Sequence, residues 1–440
     1  MSHYKPYPAY KDSGVEWLGR VPEHWSVVRM RYAATLNPPV RSDLLEDPDQ
    51  EVSFLPMEAI GEDGSLHLEQ NRPVADVRNG YSYFEDGDVA FAKVTPCFEN
   101  GKGALMRGLQ CAAGFGTTEL TVLRPTPGAA DARYINYIVQ GSSFRAFGAG
   151  AMTGAGGLKR VPDEFTRNFP VSLPELCEQR VIAAHLDRET TRIDALIEKK
   201  TRFIELLSEK RQALITHAVT KGLDPNVKMK DSGVEWLGEV PEHWDVLSFQ
   251  RCVFIAEGQV NPEKSPYREM VLLAPNHIES GSGLLLYTET AEEQNAESGK
   301  YLCQKGDVVY SKIRPALRKV CIAPDLSLCS ADMYPMRGHS GMSNQFLFWF
   351  LLSEPFSAFA VLEADRVAMP KINRESLNSV QLPRPPINEQ MEIVAWVAQS
   401  TARLDNLRAK TERSIELLKE RRSALITAAV TGLIDLREAV

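Results

Sequence analysis

Residues 12–25 read DSGVEWLGRVPEHW and residues 231–244 read DSGVEWLGEVPEHW, one phrase written twice with Arg20 exchanged for Glu239. A second phrase closes each copy: Glu209-Lys-Arg-Gln-Ala-Leu-Ile-Thr216 returns as Glu420-Arg-Arg-Ser-Ala-Leu-Ile-Thr427. Two occurrences of an opening and a closing phrase define two copies of one unit. The opening phrases lie 219 residues apart and the closing phrases 211, so the second copy is eight residues shorter. Gly87-Asp-Val-Ala-Phe-Ala-Lys-Val-Thr-Pro96 still matches Gly306-Asp-Val-Val-Tyr-Ser-Lys-Ile-Arg-Pro315 at the longer offset. The missing residues therefore fall after those prolines and before Glu178 and Glu389. A repeated frame with diverged interiors suits one molecule that makes two related but non-identical contacts.

From Glu178 to about Thr220 the chain has neither proline nor glycine, with Pro174 as an entry signal and Gly222 as a stop. Heptad steps give Leu186, Ile193, Lys200, Leu207 and Leu214, flanked by Thr190, Ile197, Ile204, Arg211 and Ala218. The second copy answers with Val397, Leu404, Thr411, Leu418 and Leu425, flanked by Thr401, Arg408, Ile415, Arg422 and Ala429. A helix of about 43 residues runs roughly 65 Å, too long to bury its stripe against a small domain alone. The two stripes are expected to face each other as an intramolecular coiled coil, antiparallel if a pseudo-twofold axis exchanges the copies.

Residues 26–170 and 245–380 read as mixed α/β inserts punctuated by Gly, Pro and Asn. The clearest strands cover 88–95 and 307–314. Alternation places Ala90, Ala92 and Val94 on one face and Val89, Phe91, Lys93 and Thr95 on the other. Near-helical, aromatic-rich stretches follow at Tyr134–Phe147 and Gln345–Phe359. The expected domains are 1–172, helix 173–222, 223–380 and helix 381–440. Trp17, Trp25, Trp236 and Trp244 are expected to anchor each insert to a helix base, and His24 and His243 to be structural.

Composition is that of an ordinary soluble chain, 43% apolar and 25% charged, with no apolar run long enough to span a membrane and no signal-peptide pattern in the first residues, so a cytoplasmic location is expected. Seven scattered cysteines without a C-x-x-C pair predict neither disulfides nor metal. No phosphate loop, zinc-protease, nucleophile-elbow or dinucleotide motif is present, so neither catalytic residues nor a cofactor are expected. Asn37-Pro38-Pro39-Val40 approximates an amino-methyltransferase motif, but Val40 has no ring to stack on a base, and we read a proline-fixed turn.

The net charge of −8 argues against a free-standing nucleic-acid binder. Basic residues nonetheless cluster. Lys300, Lys305, Lys312, Arg314, Arg318 and Lys319 face only Asp307 between positions 300 and 320. The first copy offers Lys93, Lys102, Arg107, Lys159, Arg160 and Arg167, and Arg160-Val161 is echoed by Lys371-Ile372. Any one of these most simply lies on a solvated face. The repeated aromatic-x-Lys pattern raises the weight of Lys93 and Lys312, and Arg314 has the fork to address a guanine edge where Thr95 has not.

Taken together, the D-S-G-V-E-W-L-G-x-V-P-E-H-W phrases, the G-D-V-x-[FY]-x-K-[VI]-x-P strands, and the Glu-Gln pairs at 178–179 and 389–390 opening helices that end in A-L-I-T resemble the specificity subunits of type I DNA restriction-modification systems, over essentially the whole chain. The resemblance implies two target-recognition domains, each reading half of a split site in double-stranded DNA, joined by helices that set the spacer. It implies contacts to DNA near Lys93, Lys102, Arg160, Lys312, Arg314, Arg318, Lys319 and Lys371. It also implies docking of modification (methyltransferase) subunits, expected to be two, on the helices near Leu186, Ile193, Leu207, Leu404 and Leu418. The chain itself would be non-catalytic, with a separate restriction (motor-nuclease) subunit as a further partner. The tail Asp435–Val440 stands where the link between copies would run, so the termini are expected near each other. The rival reading is a non-DNA adaptor presenting two protein-binding lobes.

Overall fold

The computed structural model describes residues 4–155, 157–364 and 370–437. The chain divides into two compact units, one of residues 1–200 with 413–440 and the other of 201–412. The division cuts both long helices, Leu176–Lys221 and Ile387–Val430, so each unit owns an insert, one half of the first helix and the opposite half of the second.

The first unit holds two four-stranded sheets. In one, the order is Ala34–Leu36, Leu120–Pro125, Val89–Ala92, Gly103–Leu105; in the other, Asn71–Pro73, Glu51–Leu55, Ala113–Gly116, Ser82–Glu85. The Val89–Ala92 strand is buried on both faces, as its lack of polar residues requires. Val89 and Phe91 pack with Tyr134, Ile138 and Phe144 on the helical side, while Ala90 and Ala92 pack with Leu55 and Phe84. The expected alternation holds inside that strand, but the ladder ends at Ala92, before Lys93, rather than at residue 95.

The second unit repeats the first of these sheets, as Val253–Ile255, Met333–Gly338, Val308–Ser311, Val320–Ile322, and three strands of the other, in the order Gln259–Val260, Lys300–Cys303, Ser327–Cys329, Leu272–Leu273, where the short strand Gln259–Val260 joins the edge opposite to that taken by Asn71–Pro73 in the first unit. Leu120–Pro125 corresponds to Met333–Gly338, an offset of 213, so six of the eight missing residues are lost before this strand. The repeated Gly-Asp of each copy also gains a role. Asp88 is buried, accepting from Arg124 Nε and Nη2 at 2.8 and 2.7 Å and from the Glu85 amide at 2.8 Å. Asp307 does the same with Arg337 and the Gln304 amide.

The two aromatic stretches are each broken into a pair of helices, Ala132–Gln140 with Ser142–Gly150 and Asn344–Leu351 with Glu354–Ala364. Gly141 breaks the first, taking an extended conformation that caps one helix and opens the next. Their rings line the core beneath the sheets, and no single helix among the described residues is long and apolar enough to cross a membrane.

The Glu-Gln pair opening each long helix is a clamp. Gln179 donates to the carbonyls of Ala129 and Pro174 at 2.9 Å and accepts from the Asp131 amide at 2.9 Å. Gln390 repeats this with Gly341, Pro385 and the Ser343 amide. Glu178 binds the Pro-Glu-His-Trp phrase of its copy through His24 Nε2 at 2.8 Å and Trp25 Nε1 at 3.2 Å, and it accepts from the Tyr7 hydroxyl at 2.8 Å. Trp25 and Trp244 are fully buried at the helix bases; Trp17 and Trp236 instead lean on insert aromatics, Trp17 stacking on Phe169 at 5.1 Å. Gly222 ends the first long helix at φ +76°, a conformation open to glycine.

Within the first unit, Ile182, Ala183 and Leu186 share a core with Leu425, Ile426, Ala429 and Val430. Within the second, Ile215, Ala218 and Val219 share one with Ile393 and Val397. Early residues of one helix thus meet late residues of the other, which is antiparallel packing. The seam arginines pair across it: Arg422 with Asp194 at 3.1 Å, and Arg211 with Asp405 at 3.0 Å. From Asp194 to Arg211 the first helix advances seventeen positions, and from Arg422 to Asp405 the second retreats seventeen, one register in both units. The polar breaks at 211 and 422 are the cationic halves of these pairs. Lys5 bridges Asp435 as an isolated β-bridge, and Leu436 is buried, so the described ends of the chain meet within the first unit. Residues 438–440 of the expected tail lie outside the described residues.

Candidate nucleic-acid interface

Beyond the last ladder position of Val89–Ala92, three segments converge. The Lys93 amide donates to the Glu119 carbonyl at 2.8 Å, the Val161 amide to the Lys93 carbonyl at 2.8 Å, and the Thr95 amide to the Lys159 carbonyl at 3.0 Å. Val94 and Arg160 form a β-bridge. The second unit reproduces this lattice bond for bond: Lys312 to Asp332 at 2.9 Å, Ile372 to Lys312 at 2.9 Å, Arg314 to Pro370 at 3.0 Å, with Ile313 bridging Lys371. Each unit therefore sets a lysine, a carboxylate and a second cation side by side: Lys93, Glu119 and Arg160 in one, Lys312, Asp332 and Lys371 in the other.

The side chains diverge on that shared backbone. Arg160 Nε and Nη2 donate to Glu119 Oε2 and Oε1 at 2.8 and 2.7 Å, and the guanidinium holds the Glu119 carboxyl below the usual carboxylate range. In the second unit the Lys312 ammonium sits 5.3 Å from the Tyr334 ring centroid, and Arg374 lies over both Tyr334 and Tyr301 at 5.0 and 5.7 Å. Arg314 is exposed in the left-handed region at φ +47°, while Thr95 at the same place ties down the neighbouring chain by accepting from the Lys159 amide at 2.9 Å.

That neighbouring chain is a two-stranded ribbon, Thr153–Ala155 against Leu158–Arg160, with all six residues exposed. It carries Lys159 and Arg160 into solvent. The corresponding part of the second unit, residues 365–369, lies outside the described residues, as does Gly156 of the first.

The remaining basic residues point elsewhere. Lys102 Nζ donates to the Met57 carbonyl at 3.0 Å and Lys319 Nζ to the Pro275 carbonyl at 2.6 Å, equivalent tethers within each unit. Arg318 donates to Ser357 Oγ at 2.8 Å and pairs with Glu354. Of the eight basic residues singled out in the sequence, Lys93, Arg160, Lys312, Arg314 and Lys371 gather at the two equivalent places, and Lys102, Arg318 and Lys319 are engaged by their own unit. Asn37 of the proline-containing turn is likewise spent on structure, exchanging hydrogen bonds with the Val122 backbone at 2.8 and 3.0 Å.

Glu119 and Asp332 escaped the sequence reading. Each is a lone acid before a strand, in no repeated phrase, and only the backbone lattice gives it meaning. On the helices, Leu186, Ile193 and Leu207 are buried and Leu404 and Leu418 half-buried, so the first three form the intramolecular seam and are covered by their own chain. The large apolar side chains left exposed on the same helices are Leu196, Phe203, Leu206, Ile387, Met391, Trp396, Leu407 and Leu417. The heptad count located the seam, and Leu404 and Leu418 on it keep part of their surface open to solvent. Among the described residues no cluster of His, Cys, Asp or Glu could hold a metal ion.

No family model matches the sequence. It is 30% identical over 310 residues to the EcoEI type I restriction enzyme specificity subunit of Escherichia coli, covering 68% of this chain and 49% of that protein. It is 30% identical over 280 residues to the EcoDI specificity subunit of the same organism, covering 60% and 62%. The chain thus spans about half to three-fifths of the length of these relatives. In fold it is similar to a chain of a type I restriction-modification system described for its complex assembly and conformational transition, with a TM-score of 0.74, 18% identity and coverage of 93% and 98%. It is also similar to the HsdS subunit from Thermoanaerobacter tengcongensis, with a TM-score of 0.54, 18% identity and coverage of 94% and 98%. In sequence and in fold, the chain is a relative of the type I restriction enzyme specificity subunits.

Proposed function

We propose that the chain is a DNA-recognition subunit that catalyses nothing and acts by differential binding. Each insert would read a few base pairs in the major groove, at about 1–3 kcal/mol per correct contact, with phosphate contacts from Lys93 and Lys312 setting the register. The paired helices would fix the spacing of the two half-sites and offer their exposed apolar side chains to modification subunits, expected to number two. Methyl transfer and cleavage would belong to modification and restriction subunits of a cytoplasmic complex. Linking two readers makes the second engagement intramolecular, so a split site is bound far more tightly than either half.

The observation that carries this reading is the repeated lattice, which holds a lysine and a second cation in the same place in both units while the chemistry around them differs. One frame with two different faces is what a bipartite, asymmetric target demands. The net charge of −8 favours the rival, a protein adaptor, because free nucleic-acid binders are usually basic. A gel shift with modification subunits present, run across a salt series, separates the two. DNA binding predicts log affinity falling steeply and linearly with log salt; a flat response overturns the proposal.

A further inference from the structure

The Glu119–Arg160 pair has no evident structural purpose. Its side chains are 26% and 47% exposed, and exposed pairs of this kind add little to stability. Arg160 is already fixed by its bridge to Val94, and its ribbon by Thr95. A carboxylate on a basic, phosphate-facing tip also repels the backbone that the tip should attract. Such a cost makes sense where it secures discrimination.

The bonding pattern shows what is secured. A guanidinium has five N–H donors in a rigid fork. Glu119 takes one side of it, through Nε and Nη2. The end formed by Nη1 and the second hydrogen of Nη2 takes no hydrogen bond among the described residues, and that end offers two parallel donors, the pattern that matches O6 and N7 of guanine. With its Nε side occupied, the side chain cannot swing freely to any nearby phosphate. Leu158, 55% exposed on the same ribbon, adds an apolar contact suited to a thymine methyl group. A lysine has no fork to be gripped in this way, so Lys371 beside Asp332 cannot copy the device.

We infer that Glu119 is a specificity-determining positioning residue, which orients Arg160 to read one guanine in the half-site addressed by the first unit. The inference rests on the DNA-binding reading above and assigns to the first unit a guanine read by a fork that a carboxylate grips from one side.

The test uses the complex assembled with modification subunits and a DNA library randomised over the half-sites. Arg160→Ala should cut discrimination at a single guanine position roughly tenfold to a hundredfold. Glu119→Ala should relax the same position by a similar factor while leaving affinity for unrelated DNA equal or higher, and Glu119→Gln, which keeps the shape and one acceptor, should fall between. Thermal midpoints equal to that of the unaltered chain establish folding. If Arg160→Ala shifts the preference and Glu119→Ala does not, or if Glu119→Ala weakens all sequences alike, the positioning role is overturned and the DNA reading stands. If Arg160→Ala leaves every position unchanged, the inference falls with it. If the unaltered complex itself prefers no sequence, the DNA reading falls.

Discussion

Glu178 and Glu389 occupy the same place in the two copies, yet their removal should have unequal cost. Glu178 is buried and accepts from Tyr7 and Trp25, themselves 3% and 0% exposed. Glu178→Ala leaves a buried hydroxyl and a buried indole N–H without a partner, each costing about 1–3 kcal/mol. His24 is 43% exposed, and water replaces its lost bond at almost no cost. Removing a buried carboxylate returns part of its desolvation penalty, so a net loss of about 2–4 kcal/mol is expected. At Glu389 the partner is His243, 47% exposed, while Trp244 Nε1 has no hydrogen-bond partner among the described residues. Glu389→Ala should therefore cost less than about 1 kcal/mol. Urea titration of each variant, with amide exchange over residues 4–30 and 223–249 to report each unit separately, measures the difference. Equal losses would refute the reasoning, since the Tyr7 and Trp25 bonds would then contribute nothing.

Three other outcomes are expected. Lys93→Ala and Lys312→Ala should each weaken binding to all sequences alike and lower the slope of log affinity against log salt by about 1, and an unchanged slope would remove them from the phosphate contacts. Arg422→Asp sets two carboxylates against each other in the seam and should cost about 1–3 kcal/mol in thermal or urea unfolding, with Asp194→Arg in the same chain recovering most of it; failure to recover would contradict the antiparallel register. Alkylation at pH 8 should modify exposed Cys111 and Cys177 and spare Cys252 and Cys321, whose thiols burial pushes up to about 11 and about 12, so that at pH 8 they remain protonated and unreactive until denaturant is added. Mass spectrometry of the labelled peptides reads this directly.

Much of the architecture was legible because it is written in periods. The duplicated phrases gave the two copies, and the heptad rows gave the seam, down to the recurring polar positions. Their partners, Asp194 and Asp405, lay outside the rows, since which acid reaches across an antiparallel seam depends on a register that no single helix encodes. The break at Gly141 was hidden for a related reason: aromatic residues continue through it, and a glycine with extended geometry looks from sequence like one tolerated inside a helix. Strand 89–92 reads as alternating small and large residues, but its burial on both faces depends on a second sheet assembled from distant segments. Lys93 and Lys312 stood out because they sit inside a repeated phrase. Lys102 and Lys319 look equally cationic in sequence, and only the carbonyls that hold them reveal their inward role.

The central claim is that two dissimilar faces, carried on one repeated frame, read two halves of a DNA site independently. Mapping of methylated bases in cells expressing the complex, before and after residues 245–380 are exchanged for the insert of a relative, tests it most directly. The account predicts that one half of the methylated sequence changes while the other half stays as it was. A change in both halves, or in neither, would contradict it.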